Sequence, residues 1–158
     1  MFIETNERLV NLKNVSNINI LDRSPGRIIF NMNYHIDILD KKINKNKLIS
    51  DYVYWDASDR EMFLDNLDQL EQNEYLKENF IKGLNGEFIN KNLISSVKFS
   101  DDKERVIFNM SHPITFVNYK GEQKITSEFV YINCKNYNQY YDFVQTVKGE
   151  LLGERHGN

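Results

Sequence analysis

Hydrophobic and polar residues alternate along several short stretches of the chain, which is the pattern of β-strands with one buried face. In the clearest stretch, 27–33, the side chains of Ile28, Phe30 and Met32 share one side of the predicted strand. Shorter alternating stretches predict further strands at 2–5, 9–12, 15–20 and 50–55.

The pattern occurs twice. Residues 27–33 recur as 105–111, with five of the seven positions identical. The match continues upstream, where 10–11 resembles 89–90, and downstream, where 50–54 resembles 127–131. We therefore interpret the chain as two tandem repeats, residues 1–78 and 79–152, followed by a frayed tail at 153–158.

A helix is predicted to close each repeat. Ser58 and Glu61 form a capping box that begins an acidic helix of about 58–76. Asn136 caps a second helix of about 136–152. The apolar stripes of the two helices are Phe63, Leu67 and Leu70, and Tyr140, Val144, Val147 and Leu151.

These elements predict an α+β fold made of a tandem pseudo-repeat. Each copy is an antiparallel β-sheet of about five short strands followed by one C-terminal helix. In the second copy, Asn85-Gly86 marks the turn of the opening hairpin. The Lys-rich segment 41–47 and its counterpart 118–123 are expected to be loops before the fifth strand.

Composition narrows the setting of the molecule. The chain has 158 residues, 41% of them hydrophobic, which is enough for a packed core. A single cysteine excludes an internal disulfide framework and favours a reducing, cytoplasmic location. No apolar stretch reaches membrane-spanning length and the first residues lack the pattern of a signal peptide, so we expect no membrane partner.

Charge is distributed unevenly. The net charge is −3, but residues 56–78 hold eight acids and two bases. The predicted first helix is therefore strongly acidic, while the remainder of the chain is mildly basic.

Side chains suited to catalysis or metal binding are few. Cys134 is expected to be a half-buried thiol, and the histidines His35, His112 and His156 have no metal-ligand spacing. Gly83 and Gly86 belong to a hairpin turn rather than to a phosphate-binding loop. We expect a protein that is not an enzyme and that needs no cofactor or metal.

The candidate site lies on the sheet face that points away from the predicted helices. Because strand side chains alternate, each copy presents an arginine, an asparagine and two aromatic residues on that face. These residues are Arg27, Asn31, Tyr52 and Tyr54 in the first copy, and Arg105, Asn109, Phe129 and Tyr131 in the second. An exposed aromatic patch of this kind is typical of an interface.

Several functions are compatible with this duplicated face. The favoured one is a non-enzymatic binding or assembly protein, whose face packs against its own second copy, a homodimer mate or another protein. The alternative is single-stranded DNA or RNA, with bases stacking on the aromatic rings. A duplicated strand-rich unit ending in a helix is similar in topology, though in no residue motif, to the PUR-alpha and Whirly single-strand binders. A further alternative is a small inhibitor or adaptor that uses helix 58–78 against a basic partner.

Overall fold

The chain folds into antiparallel β-sheets covered by helices, as seen in a computed structural model that describes residues 1–153. The fold class is α+β, as predicted. Residues 154–158, including His156 and nearly all of the predicted frayed tail, lie outside the described residues. None of the helices in the described part is long and apolar enough to span a bilayer.

Residues 1–153 contain ten strands and three α-helices. The first half has β1 (Phe2–Glu4), β2 (Leu9–Asn11), β3 (Val15–Leu21), β4 (Arg27–Asp40), β5 (Lys45–Asp56), α1 (Arg60–Gln72) and α2 (Glu74–Asn79). The second half has β6 (Phe80–Lys82), β7 (Phe88–Asn90), β8 (Ile94–Phe99), β9 (Arg105–Val117), β10 (Gln123–Asn133) and α3 (Tyr137–Leu152).

The strands do not divide into two sheets of about five, as the sequence suggested. They form a five-stranded sheet in the order β5-β4-β3-β7-β6, a three-stranded sheet in the order β10-β9-β8, and the separate hairpin β1-β2. The hairpin β6-β7 pairs with β3, where Asn17 lies opposite Ile89 and Ile18 opposite Phe88. One sheet therefore includes strands from both sides of the predicted boundary at 78/79.

The strand trios β3-β4-β5 and β8-β9-β10 have matching registers. Asn31 lies opposite Tyr52 in the first trio, and Asn109 lies opposite Phe129 in the second. An irregularity also interrupts β3 and β8 at matching places, directly after Val15 and Ile94.

Two long ribbons replace the predicted loops. Strands β4 and β5 stay paired from His35–Ser50 out to Asp40–Lys45, and β9 and β10 stay paired out to Val117–Gln123. The predicted strands were therefore too short. Isolated two-stranded ribbons are marginally stable, and these two support each other: the Leu48 amide donates to Thr115 Oγ1 over 2.7 Å.

The helices differ from the predictions in detail. Asp59, rather than Ser58, caps α1, because its carboxylate accepts the Met62 amide N–H over 2.8 Å. The predicted helix 58–76 is also interrupted at Asn73, which caps the separate helix α2. In α3 the cap at Asn136 is confirmed, but Leu151 is exposed and Phe143 is buried in its place.

Two hydrophobic cores lie beneath the helices. The first surrounds Phe30 and the second surrounds Phe108, and both rings are fully buried, as the alternation in β4 and β9 predicts. Phe108 meets Phe143 of α3 edge-on, with ring centroids 6.3 Å apart. The opposite faces of β4 and β9 are therefore left to form the candidate site.

Replacing Phe30 or Phe108 with alanine should lower the free energy of unfolding by about 3–5 kcal/mol, because each change leaves a cavity in a closed core. Urea denaturation monitored by circular dichroism measures the loss. Leu64→Ala, at a half-exposed position of α1, is the control and should stay within about 0.5 kcal/mol of wild type. A loss below about 1 kcal/mol at either phenylalanine would contradict this assignment of the cores.

Candidate functional site

Aromatic side chains form a short ladder on β5 and another on β10. Tyr52 and Tyr54 are two residues apart on β5, and their rings are nearly parallel with centroids 6.5 Å apart. Phe129 and Tyr131 have the same spacing on β10, with centroids 4.8 Å apart. Period-two spacing places each pair on one face of its strand.

The two ladders meet across an open cleft of about 610 Å³. One wall is the sheet β3-β4-β5, which contributes Asn17, Asn19, Ile29, Asn31, Tyr52 and Tyr54. The opposite wall is β10 from Glu128 to Tyr131, together with Glu87 from the turn between β6 and β7. The exposed fractions of Tyr52, Tyr54 and Tyr131 are 41%, 50% and 47%, so these rings line the cleft without being buried in a core.

Five of the eight predicted site residues line this cleft: Asn31, Tyr52, Tyr54, Phe129 and Tyr131. Arg27 and Arg105 lie outside it and stack on the ladders. The Arg27 guanidinium carbon is 4.3 Å from the centroid of the Tyr54 ring, and that of Arg105 is 5.7 Å from Tyr131. Asn109 also lies outside, where its amide donates to Ser96 Oγ over 3.0 Å.

Both arginines have nearby carboxylate partners, Asp56 at the end of β5 and Asp102 in the turn between β8 and β9. Arg27 Nε is 2.5 Å from Asp56 Oδ1, and its NH2 group donates to the other carboxylate oxygen over 3.3 Å. This carboxylate raises the pKa of Arg27 above its usual value. Arg105 lies 3.9 Å from Asp102. The positive charges that the sequence placed on this face are therefore largely compensated.

An asparagine network forms the floor of the cleft. The amide of buried Asn31 donates to Asn17 Oδ1 over 2.6 Å, and Asn19 donates to the same oxygen over 3.4 Å. The network fixes the side chain of Asn31 directly beside Tyr52, its partner on the neighbouring strand. Such a floor offers polar contacts in a fixed orientation.

Two carboxylates in the cleft were missed by sequence reasoning. Glu87 belongs to the turn of the β6-β7 hairpin, and Glu128 immediately precedes the β10 ladder. No local pattern places these two residues in one cleft, because their position there depends on how β10 lies against the other sheet. The side chains lining the cleft include these two acids and no lysine or arginine.

Glu128 is held in place by a polar cluster between the two ribbons. Ser50 Oγ donates to Glu128 Oε2 over 2.6 Å and lies 2.8 Å from His112 Nε2. The single hydroxyl proton of Ser50 points to Glu128, so the Nε2–H of His112 must donate to Ser50 Oγ. His112 Nδ1 is then an acceptor, and it is buried without a partner.

The same cluster lacks the geometry of a catalytic triad. In a triad the carboxylate orients the imidazole and leaves the serine to attack. Here the carboxylate bonds to the serine itself, and Ser50 is only 1% exposed. We therefore interpret the cluster as a clamp that fixes Glu128 at the end of the cleft.

Electrostatic effects in the cluster follow from burial. Burial lowers the pKa of His112, although the negative charge of Glu128 opposes this and His35 reinforces it. Burial of the Tyr52 ring and the charge of Glu128 raise the pKa of Tyr52. Glu128 thus acts electrostatically on the aromatic ladder across the cleft.

Within residues 1–153, no three His, Cys, Asp or Glu side chains are grouped so that they could bind a metal ion. Cys134 is half-buried, as predicted, and burial raises the pKa of its thiol. A raised pKa keeps the thiol protonated and makes it a poor nucleophile.

Comparisons of the chain with protein-family profiles, with curated proteins and with solved structures found no match in any of the three.

Lowering the pH should destabilise the protein through His112. The folded state keeps this imidazole neutral, whereas the unfolded chain takes up a proton near the ordinary value of 6.5. The contribution of neutral His112 to the free energy of unfolding is therefore fully present above pH 6.5. It is lost as the pH falls through 6.5 towards the lower pKa that His112 has in the folded state. Urea unfolding between about pH 7.5 and pH 5.5 measures this loss.

His112→Gln is the matched variant, because it keeps a donor for Ser50 and removes the titrating group. Its unfolding free energy should fall less over the same pH range than that of wild type. An identical pH slope in the two proteins would show that His112 is not the group responsible.

Proposed function

We propose that the protein is a non-enzymatic binding protein that accepts a segment of a protein partner in the cleft between β5 and β10. The observation that carries the proposal is the pair of half-exposed aromatic ladders facing each other across the cleft, with Glu87 and Glu128 beside them. Half-exposed aromatic rings around a concave surface are typical anchors for a partner.

The charge of the cleft favours a cationic segment. Its lining includes two carboxylates and no basic side chain, and the nearby arginines already pair with Asp56 and Asp102. A lysine or arginine of the partner could lie against the rings and near the carboxylates at once. Arg27 on Tyr54 illustrates this contact within the protein itself.

The duplication of the chain underlies this arrangement. We infer that the protein is a tandem pseudo-repeat, supported by the matching registers of β3-β4-β5 and β8-β9-β10. Each repeat contributes one ladder, so a binding surface present once per repeat becomes a two-walled cleft. The single half-buried cysteine supports the cytoplasm as the place of action.

Two other hypotheses keep specific support. The half-exposed rings could also stack nucleic-acid bases, although the two carboxylates would repel phosphates. The exposed acids of α1, among them Glu61, Asp65 and Asp68, could bind a basic partner outside the cleft. If the partner is a second copy of the chain that binds at the cleft between β5 and β10, the same proposal describes a homodimer.

The test is fluorescence anisotropy with three labelled probes at two salt concentrations. The probes are a Gly/Ser peptide with two arginines, the same peptide with two glutamates, and a single-stranded thymidine oligonucleotide. We expect the arginine peptide to bind best and to weaken as salt is added, because salt screens the carboxylates.

Variants locate the site. Tyr54→Ala and Tyr131→Ala should each weaken binding of the arginine peptide about two- to thirtyfold, the range of a cation–π contact. Because both rings are half exposed, the unfolding free energy should change by only about 0.5 kcal/mol. Tyr119→Ala, at a ring that is 93% exposed and outside the cleft, is the control.

Charge-removing variants separate the hypotheses. Glu87→Gln and Glu128→Gln should weaken binding of the arginine peptide, while Glu122→Gln on an exposed turn should not. Preferred binding of the oligonucleotide would select the nucleic-acid alternative. Loss of peptide binding in an Asp65→Asn/Asp68→Asn variant, with the cleft variants unaffected, would move the site to α1.

A further inference from the structure

The two short hairpins, β1-β2 and β6-β7, bury different numbers of faces. In the β6-β7 hairpin, Ile81 and Ile89 enter the Phe108 core, while Phe80 and Phe88 enter the Phe30 core. The β1-β2 hairpin has the same cross-strand register, with Ile3 opposite Val10 as Ile81 is opposite Ile89. Ile3 and Val10 are buried in the Phe30 core, so one face of this hairpin is covered as well.

The other face of the β1-β2 hairpin is open. Phe2 and Leu9 occupy the positions of Phe80 and Phe88, but they are 57% and 67% exposed, against 4% and 6% for their counterparts. In the β6-β7 hairpin, the side chains at these positions help to join the two cores, and β7 pairs with β3; we call this arrangement the internal junction. The β1-β2 hairpin has apolar residues at the same positions, but within residues 1–153 it pairs with no further strand.

Within residues 1–153, strand β8 has one paired edge, whereas its counterpart β3 has two. Its counterpart β3 is paired on both edges, with β4 and with β7, and Val15–Ile18 are buried. Within residues 1–153, β8 pairs with β9 alone. Ile94 and Val97 are only half-buried beside the Phe108 core, and Ser95 and Ser96 are exposed.

We propose that the β1-β2 hairpin of one copy of the chain adds to the free edge of β8 in a second copy. The internal junction supplies the register: Ile18 opposite Phe88 becomes Val97 opposite Leu9, and Asn17 opposite Ile89 becomes Ser96 opposite Val10. Unpaired backbone groups of β8 would hydrogen-bond the incoming strand, and Leu9 would cover Val97.

The occupant is a second copy because, within its own chain, the hairpin is anchored in the first core and is not paired with β8. Ile3 and Val10 anchor the hairpin in the Phe30 core. Its turn is fixed beside the end of β5, where the Asn6 amide donates to the Asp56 carbonyl over 3.1 Å. With the hairpin held there, the β8 edge that its exposed face would meet belongs to another molecule.

The contact is head-to-tail, since it joins two different surfaces. Such an interface either closes into a ring or extends into a chain of copies. A salt signature follows from the register. Arg8 and Lys98 would lie opposite each other just beyond the paired residues, so salt should strengthen assembly by screening their repulsion.

Sedimentation velocity over a concentration series tests the proposal with the full chain. Wild type should associate as its concentration rises, and Leu9→Asp should remain monomeric. Leu64→Asp, the same change at an exposed leucine of α1, should associate like wild type. Thermal melting of each variant shows whether it is folded.

Mixing and hydrogen exchange identify the surfaces. Leu9→Asp keeps an intact β8 edge, so adding it to wild type should cap the assemblies and reduce their mean size. Amides of Ile94–Phe99 should gain protection when wild type is concentrated. A wild type that stays monomeric at its solubility limit, association that Leu9→Asp leaves unchanged, or no added protection in β8 would each overturn the proposal.

Discussion

The burial of both faces of the β6-β7 hairpin is the constraint on which the rest of the structure depends. Ile81 and Ile89 pack into one core and Phe80 and Phe88 into the other, so a six-residue pair of strands joins the two halves of the molecule. Pairing of β7 with β3 then fixes where the hairpin turn lies. That turn carries Glu87, and a Cβ at Gly83 would overlap the Glu87 carboxylate and come within 2.9 Å of the terminal methyl group of Ile132 of β10. Glycine at position 83 therefore leaves room for both side chains where β10 passes the hairpin.

The local parts of the fold were predictable because they depend on neighbours in the sequence. Period-two alternation assigned Phe30 and Phe108 to the cores and Tyr54 and Tyr131 to the opposite face, and the Asn85-Gly86 turn was located correctly. The ribbons were missed although the residues around Ile36 and Ile38 do alternate with polar ones, because the lysines at 41–47 suggested a loop. Asp59 caps α1 in place of Ser58, which is the one-residue uncertainty of any cap assigned from sequence alone.

The arrangement of the sheets was not predictable in the same way. A repeat in sequence suggests two equivalent sheets. The pairing of each strand, however, depends on which neighbour buries its apolar side chains. Phe80 and Phe88 are both aromatic, whereas the equivalent pair in the first half is Phe2 and Leu9. It is Phe80 and Phe88 that cover the Phe30 core beside β3. Similarly, Glu87 and Glu128 are 41 positions apart in the chain, and they line one cleft only because β10 lies against the other sheet. Contacts of this kind exist only after the cores have formed.

The charge of a surface also differs from the charge of the residues that sequence assigns to it. The sequence placed Arg27 and Arg105 on the candidate face, yet each guanidinium lies against an aromatic ring and near a carboxylate, that of Asp56 or Asp102. The cleft beside them instead contains Glu87 and Glu128. Glu128 keeps its position through Ser50, whose hydroxyl also accepts from a histidine that burial keeps neutral. Because that histidine is neutral, it does not cancel the negative charge of Glu128, and the cleft keeps both carboxylates on which its proposed preference for cations depends.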